Sequence, residues 1–316
     1  MNYLVVFLIL TVLSFFYLKI ADKFNIVDKP NHRSSHTIPT IRGGGILFYL
    51  GCLIFFISSG FQYPYFFIGV SLVALISFID DILTLSSSVR LPFQFLAVGL
   101  SFYEIGMIPE TGLWILPFFI LGVGLINEYN FMDGINGITG FYSLVTLGGL
   151  FIINEEIQVV NKDLLLYVLM SVIVFGFYNF RKKARMFAGD IGSISMAVLI
   201  CFVGASIIYK THSPIILLLI SVYSVDAILT VIYRKSIGEK LTEPHRKHIY
   251  QKLVHTAKMP HLNVSIIYAL LQMVINVIVL YTYKLDLTIQ FTTLVVVILF
   301  LIFLYVLMFK RLEVKE

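Results

Sequence analysis

The stretch from Gln290 to Phe309 reads Q-F-T-T-L-V-V-V-I-L-F-L-I-F-L-Y-V-L-M-F, twenty residues without a charge. At about 1.5 Å per residue, a helix of that length matches the roughly 30 Å hydrocarbon core of a bilayer. Similar runs recur along the chain and predict about eleven transmembrane helices, at 3–21, 43–60, 64–80, 91–108, 112–129, 137–153, 164–180, 191–209, 214–233, 263–283 and 290–309. The whole 316-residue chain is 59% hydrophobic and 13% charged, with a mean hydropathy of +0.92. A soluble domain carries about a quarter charged residues, so the composition excludes one. Backbone amides in lipid must be paired within their own segment, and the alternating ten-residue segments of an outer-membrane barrel are absent. The expected fold is therefore all-α, a polytopic integral membrane protein forming one domain over 1–316. Cys52 and Cys201 sit inside apolar runs and read as small hydrophobes in packed helices. The N-terminus has no basic leader, so the first span is expected to be retained.

Basic residues set the expected orientation. The odd-numbered connections and the C-terminal tail hold 20 of the 23 lysines and arginines, and the other side has only Lys162, Lys210 and Lys284. The N-terminus is thus expected outside and the C-terminus in the cytoplasm. The net charge of +5 describes one face, suited to anionic headgroups and substrates, and the apolar bulk argues against nucleic acid. The long polar segment 234–262 falls on this cytoplasmic side, where loops of such length are often functional.

Four polar motifs interrupt the apolar runs, all on that face. The third span ends F-I-D-D at Asp80 and Asp81. Adjacent carboxylates on a helix point about 100° apart, so one can face the bundle while the other meets the headgroups; a solvated helix end is the plain alternative. N-F-M-D-G-I-N-G, from Asn130 to Gly137, repeats Asn130, Asp133 and Asn136 at a spacing of three, which puts oxygen-bearing groups on one face of a turn. A glycine-rich helix break with capping residues reads the same way. F-A-G-D-I-G-S, from Phe187 to Ser193, opens a helix on Asp190, which is either a dipole-favoured first-turn acid or a Mg²⁺ ligand. Phe187 is either packing or a platform for a base. P-H-R-K-H places His245 and His248 around Arg246 and Lys247; without cysteines it suits a pyrophosphate better than zinc, a solvated basic loop being the alternative. Asp226 lies inside a span, where a carboxylate is a functional candidate by default. The first cytoplasmic loop carries Arg33, His36 and Arg42 ahead of three glycines, either a proline-punctuated loop or a helix start open to phosphate.

Taken in order, these strings resemble the polyprenyl-phosphate N-acetylhexosamine-1-phosphate transferases, over about Asp28 to Gln251. R-S-S-H-x-x-P-T-x-R-G-G-G and H-R-x-H-x-Y-Q look like the branch that initiates O-antigen, and the triple-histidine loop of the related phospho-MurNAc-pentapeptide transferase is not present. The resemblance implies that Asp80 and Asp81 match a D-D pair near the lipid phosphate. It makes Asp133 the aspartate of N-x-x-D-G, with Asn130 ahead of it, and Asp190 the Mg²⁺-coordinating aspartate of G-D-x-G-S. It sets Phe187 where an aromatic packs against uracil, and His245, Arg246 and His248 on the loop that contacts the nucleotide-sugar. Asn136 stands where many relatives have a second aspartate. The interval from Asn179, the candidate uridine contact, to Phe187 is one residue longer than in the peptidoglycan enzyme.

The implied reaction joins UDP-N-acetylhexosamine and undecaprenyl phosphate to give undecaprenyl-diphospho-sugar and UMP. Mg²⁺ is the expected cofactor, with Mn²⁺ as the alternative. The expected setting is the inner (cytoplasmic) membrane, with membrane lipid as partner and a homodimer suggested by the relatives. A transporter or flippase of polyprenyl-linked sugars is the rival from another class; such proteins place ionisable residues near the midplane and show inverted repeats. Here the acidic motifs end the spans, no repeat is evident, and only Asp226 is deep.

Overall fold

The computed structural model describes residues 1–30, 38–83, 85–241, 243 and 245–313. Helices dominate it: α1 (Tyr3–Lys23), α2 (Ile46–Ser58), α3 (Pro64–Leu83), α4 (Ser87–Ile105), α5 (Met107–Thr111), α6 (Leu116–Met132), α7 (Ile138–Ile157), α8 (Lys162–Asn179), α9 (Gly189–Thr211), α10 (Ser221–Ser236), α11 (Ile249–His255), α12 (His261–Thr282) and α13 (Leu287–Glu313). The fold class is the all-α polytopic membrane protein the hydropathy predicts.

Among the described residues, nine helical segments are long and apolar enough to cross a bilayer. Two predicted spans fall short of that measure. Ser59-Gly60 closes α2 after 13 residues, about 20 Å of helix, and α4 carries Arg90, Pro92 and Gln94 in its first half. A further helix, α11, stands inside the 234–262 segment, where the sequence predicts a polar loop.

The core forms around α9, whose residues from Ile191 to Val203 are buried without a break. It packs on α2, α3, α4, α6 and α7, while α7 pairs with α12 and α2 with α8. Small residues let these helices close: a Cβ on Gly192 would lie 2.7 Å from the Gly45 Cα. Hydroxyls inside the helices bond back to their own carbonyls, as Ser101 does to Ala97, Ser206 to Phe202 and Thr211 to Ile207. That spares them unpaired donors in lipid. Outside, α1 and α13 expose rows of Leu, Val and Phe, including Leu299, Phe300 and Phe303. Such a surface is a liability in water and the ordinary state in hydrocarbon.

One small sheet gathers the site. Strand β1 (Val27–Asp28) pairs antiparallel with β2 (Thr40–Ile41), Val27 opposite Ile41 and Asp28 opposite Thr40, and Ile41 bridges to Met186 in parallel. The following amides continue the contact: Gly44 N–H donates to the Phe187 carbonyl at 2.8 Å and Gly45 N–H to Ala188 at 2.9 Å. The start of α2 is thereby held against the start of α9.

Candidate active site

Five charged side chains meet at this junction. Arg42 Nε lies 2.7 Å from Asp81 Oδ1, and its Nη2 lies 3.2 Å from Asp190 Oδ1. Arg90 Nη1 reaches Asp80 Oδ2 at 2.9 Å and Asp190 Oδ2 at 2.7 Å. Asp190 is therefore held between two guanidinium groups, one on each oxygen. The local reasons are in the backbone. Asp81, from the end of α3, accepts the N–H groups of Asp190 (3.0 Å) and Ile191 (3.3 Å) and so caps α9 in trans. Asp80 accepts the Leu85 amide, which turns the chain so that Arg90 points back. Gly189 has φ of +71°, and a Cβ there would sit 2.5 Å from Asp81 Oδ2, so only glycine lets the carboxylate come this close. The sequence suggested that the two adjacent carboxylates part ways. Instead both turn inward, with the Asp81 side chain wholly covered. Burial works against the charge on Arg42, but Asp81 and then Asp190 outweigh it and hold the guanidinium above its ordinary pKa.

The second motif closes on this cluster, and the fourth packs against the second. Asn130 Nδ2 reaches Ser193 Oγ at 3.4 Å, tying α6 to α9. Asp133 accepts the Thr139 hydroxyl at 2.5 Å. Burial pushes its carboxyl up to about 6, against the Thr139 bond, with Asp190 adding to the rise and Arg42 opposing it; Asp133 thus lies within electrostatic reach of the cluster. Asp226 is buried and engaged on both oxygens. It faces His248 Nδ1 at 3.3 Å, accepts the Ile249 amide at 3.0 Å and the Tyr268 hydroxyl at 2.6 Å, and lies 3.4 Å from the Tyr250 amide. Tyr250 in turn donates to the Phe131 carbonyl at 3.0 Å. Burial first, then Asp226 and Asp133, raise the Tyr250 phenol, so it stands between the two carboxylates. His248 Nε2 is buried without a protein partner.

Several candidates have partners within the protein. Asp226, expected to bind substrate, is filled by internal partners and positions α11 and His248. Asn179, the candidate uridine contact, is buried; it accepts the Gly137 amide at 2.7 Å and donates to the Met186 carbonyl at 2.9 Å, linking the second and third motifs. Asn136 donates to the carbonyls of Arg181 and Lys182 at 3.0 and 3.2 Å, which an aspartate could not do, so the amide fits this position. His245 is half-buried, and the groups acting on it are His248, Arg234, Glu239 and Lys247, none from the aspartate cluster. Arg246 is half-buried and acts on His255. Phe187 is half-buried beside Gly44. Arg33 and His36 lie outside the described residues. Sequence reasoning missed Tyr268 and Thr139, single polar residues with no spacing to mark them, and gave no role to Tyr250, which lies inside H-R-x-H-x-Y-Q.

Beside the polar site, an apolar groove of about 910 Å³ runs between α6, α9 and α10. Glu110 and His212 stand at its far end, and Asn127, Glu128 and Phe131 line it where α6 reaches the site. The Phe131 and His248 rings are 6.4 Å apart, so the groove opens next to the fourth motif.

The donor set suits a hard divalent cation in kind, being carboxylate oxygens on Asp80, Asp133 and Asp190 with no thiolate. Among the described residues no three His, Cys, Asp or Glu side chains stand close enough to cage one. Mg²⁺ seldom uses an all-protein cage and is usually shared with substrate phosphates, so the arrangement fits an ion brought in with a diphosphate.

Comparison with known proteins supports the family resemblance. The profile of glycosyl transferase family 4 matches residues 63–209. A probable undecaprenyl-phosphate N-acetylglucosaminyl 1-phosphate transferase of Bacillus subtilis (strain 168) is 26% identical over 280 residues, covering 79% of this chain and 75% of its own. The undecaprenyl-phosphate alpha-N-acetylglucosaminyl 1-phosphate transferase of Escherichia coli (strain K12) is 26% identical over 281 residues, with coverage of 79% and 74%. The decaprenyl-phosphate N-acetylglucosaminephosphotransferase of Mycobacterium leprae (strain TN) is 24% identical over 299 residues, with coverage of 79% and 75%. Over about four-fifths of its length the chain is thus similar to polyprenyl-phosphate N-acetylglucosamine-1-phosphate transferases.

Proposed function

We propose that the protein transfers N-acetylhexosamine 1-phosphate from a UDP-sugar to undecaprenyl phosphate, releasing UMP, as the first membrane step of a surface glycan such as O-antigen. The observation that carries this reading is an Arg- and Asp-lined site at the helix ends together with an apolar groove whose Phe131 lies beside His248 of the fourth motif. A water-soluble diphosphate and a lipid phosphate need those two surfaces side by side. The names of the relatives make N-acetylglucosamine the first sugar to test. The excess of basic residues on the motif side of the chain supports a cytoplasmic site in the inner membrane.

Arg42 and Arg90 are placed to exchange a carboxylate for a phosphate oxygen, since each guanidinium already spans two acceptors. Asp190 and Asp133, with Asp80, are the residues that would hold Mg²⁺, or Mn²⁺ in its place. When bound, the ion offsets the charge of the diphosphate and of the leaving UMP. His248, aimed by Asp226, holds its ring 6.4 Å from that of Phe131 at the groove mouth, where the lipid phosphate would enter. A phosphate monoester keeps an anionic oxygen at neutral pH. Positioning is then enough for direct displacement, and an aspartyl intermediate is unnecessary.

Purified protein in detergent, given UDP-N-acetylhexosamines, undecaprenyl phosphate and Mg²⁺, is expected to release UMP. Failure with every such sugar would overturn the transferase reading. A sugar phosphate trapped on the protein without lipid would overturn direct displacement. The same assay separates the transporter reading, because a transporter has no work to do without a sealed membrane.

A further inference from the structure

Glu128 belongs to none of the four motifs. It is 7% exposed, lies on α6 among the residues lining the groove, and its Oε1 is buried with no protein partner. It stands one turn below Phe131, the residue that meets the His248 ring at the mouth. Its one hydrogen-bonding neighbour is Ser224, whose hydroxyl donates to the Ile220 carbonyl at 3.1 Å. Oε1 is left as an acceptor facing an apolar channel, and an unfilled polar atom there is costly.

An acceptor at this depth asks for a donor on the ligand. Resting on the proposed function, the ligand whose head sits at the mouth is a polyprenyl phosphate, and its only donor is a P–OH. A carboxyl oxygen beside a phosphate oxygen is tolerated only with a proton between them. We propose that Glu128 is a positioning residue that accepts a hydrogen bond from the P–OH of the singly protonated acceptor lipid, turning the two anionic oxygens toward the arginine–aspartate site. The contact also separates substrate from product. Once the P–O–P bond forms, the inner phosphate is a strong acid and the shared proton passes to the Glu128 carboxylate. When Glu128 gives that proton up to solvent, the hydrogen bond becomes a repulsion that favours product release.

The titratable groups in range of Glu128 are Tyr129 on the same helix and Tyr142 on α7. The groove adds Cys201 and Tyr209 from α9, and Glu110 and His212 at its far end. No lysine or arginine lines it among the described residues. The histidines at the mouth are common to every variant below, so differences between variants isolate Glu128.

The test measures binding of undecaprenyl phosphate, and of its monomethyl ester, which carries no P–OH at neutral pH, to the full-length protein in nanodiscs at pH 6 and pH 8. Wild type is expected to prefer the phosphate at pH 6, where more of it is singly protonated, its second pKa being near about 6. Glu128→Leu should bind the phosphate about tenfold more weakly at pH 6, the size of one net hydrogen bond, and bind the ester no more weakly than wild type does. Glu128→Gln brings its own N–H for a dianion and should flatten the pH dependence. Equal binding of the phosphate by wild type and Glu128→Leu at pH 6, or a wild-type pH dependence in Glu128→Gln, would overturn the proposal. Wild type that binds the lipid this way but releases no UMP would sink the transferase reading and leave the Glu128 contact standing.

Discussion

At the residue scale, the site separates groups that do chemistry from groups that hold them. Asp190 has both oxygens on arginines and its side chain is 15% exposed, and in the proposed function it is the carboxylate that would take up the ion. Asp190→Asn should lower kcat by about two to three orders of magnitude and leave the melting temperature in detergent nearly unchanged. Near-normal turnover would remove Asp190 from the site. His245 makes a different prediction. Burial first, then His248 and Arg234, pull its imidazole down to about 4, so it is neutral at pH 7 and leaves the positive charge of its motif to Arg246 and Lys247. The unfolded chain takes up that proton near about 6.5, the folded chain only near 4. The stability linked to the group is therefore complete above about 6.5 and drains as pH falls to about 4. His245→Gln should lose melting temperature less steeply than wild type across that window; parallel curves would show that the imidazole does not titrate as described.

At the element scale, helix ends are what the motifs build. Gly189 shows why the sequence signal was readable there: a helix start in the left-handed region, against another backbone, admits one residue type. Gly189→Ala adds about 1 kcal/mol or more of conformational cost and sets a Cβ 2.5 Å from Asp81 Oδ2 and 2.8 Å from the Gly43 nitrogen. It should depress both melting temperature and activity. Gly148→Ala, in α7 with open space around it, should be neutral or slightly stabilising. The same pair of readouts sorts Asp226. An asparagine there must turn an N–H₂ toward the Ile249 amide or the Tyr268 hydroxyl, so Asp226→Asn should lose about 1–3 kcal/mol of stability along with activity. A variant that loses activity alone would return Asp226 to the substrate. Its inward role was not legible because a lone carboxylate in an apolar run looks the same whether it meets a ligand or caps a neighbouring helix. The spans, the order of the motifs and the Asp80–Asp81–Asp190 grouping could be read, since hydropathy and short polar strings survive in one dimension. The inward turn of both Asp80 and Asp81, the donor role of Asn136 and the unfilled oxygen of Glu128 needed contacts from helices far apart in sequence.

At the scale of the whole molecule, the arrangement makes sense only if all the motif-bearing ends share one side of the bilayer. The bonds from Arg42 to Asp81 and Asp190, from Asn179 to Gly137, and from Tyr250 to Phe131 join the ends of α3, α6 and α8 to the starts of α2, α7, α9 and α11. Such a ring of contacts cannot straddle 30 Å of hydrocarbon. The distribution of lysine and arginine supports the proposal that this ring faces the cytoplasm. Both native cysteines are buried, so a membrane-impermeant maleimide should find little background in the native protein. A cysteine at exposed Lys182, beside the site, should stay unlabelled in intact spheroplasts and react after permeabilisation. A cysteine at exposed Lys162, at the opposite end of α8, should react from outside in both. The reversed pattern would put the site where UDP-sugars are not supplied. Labelling of both positions from outside would mean that α8 does not cross the membrane, and the ring of helix ends would lose its common side.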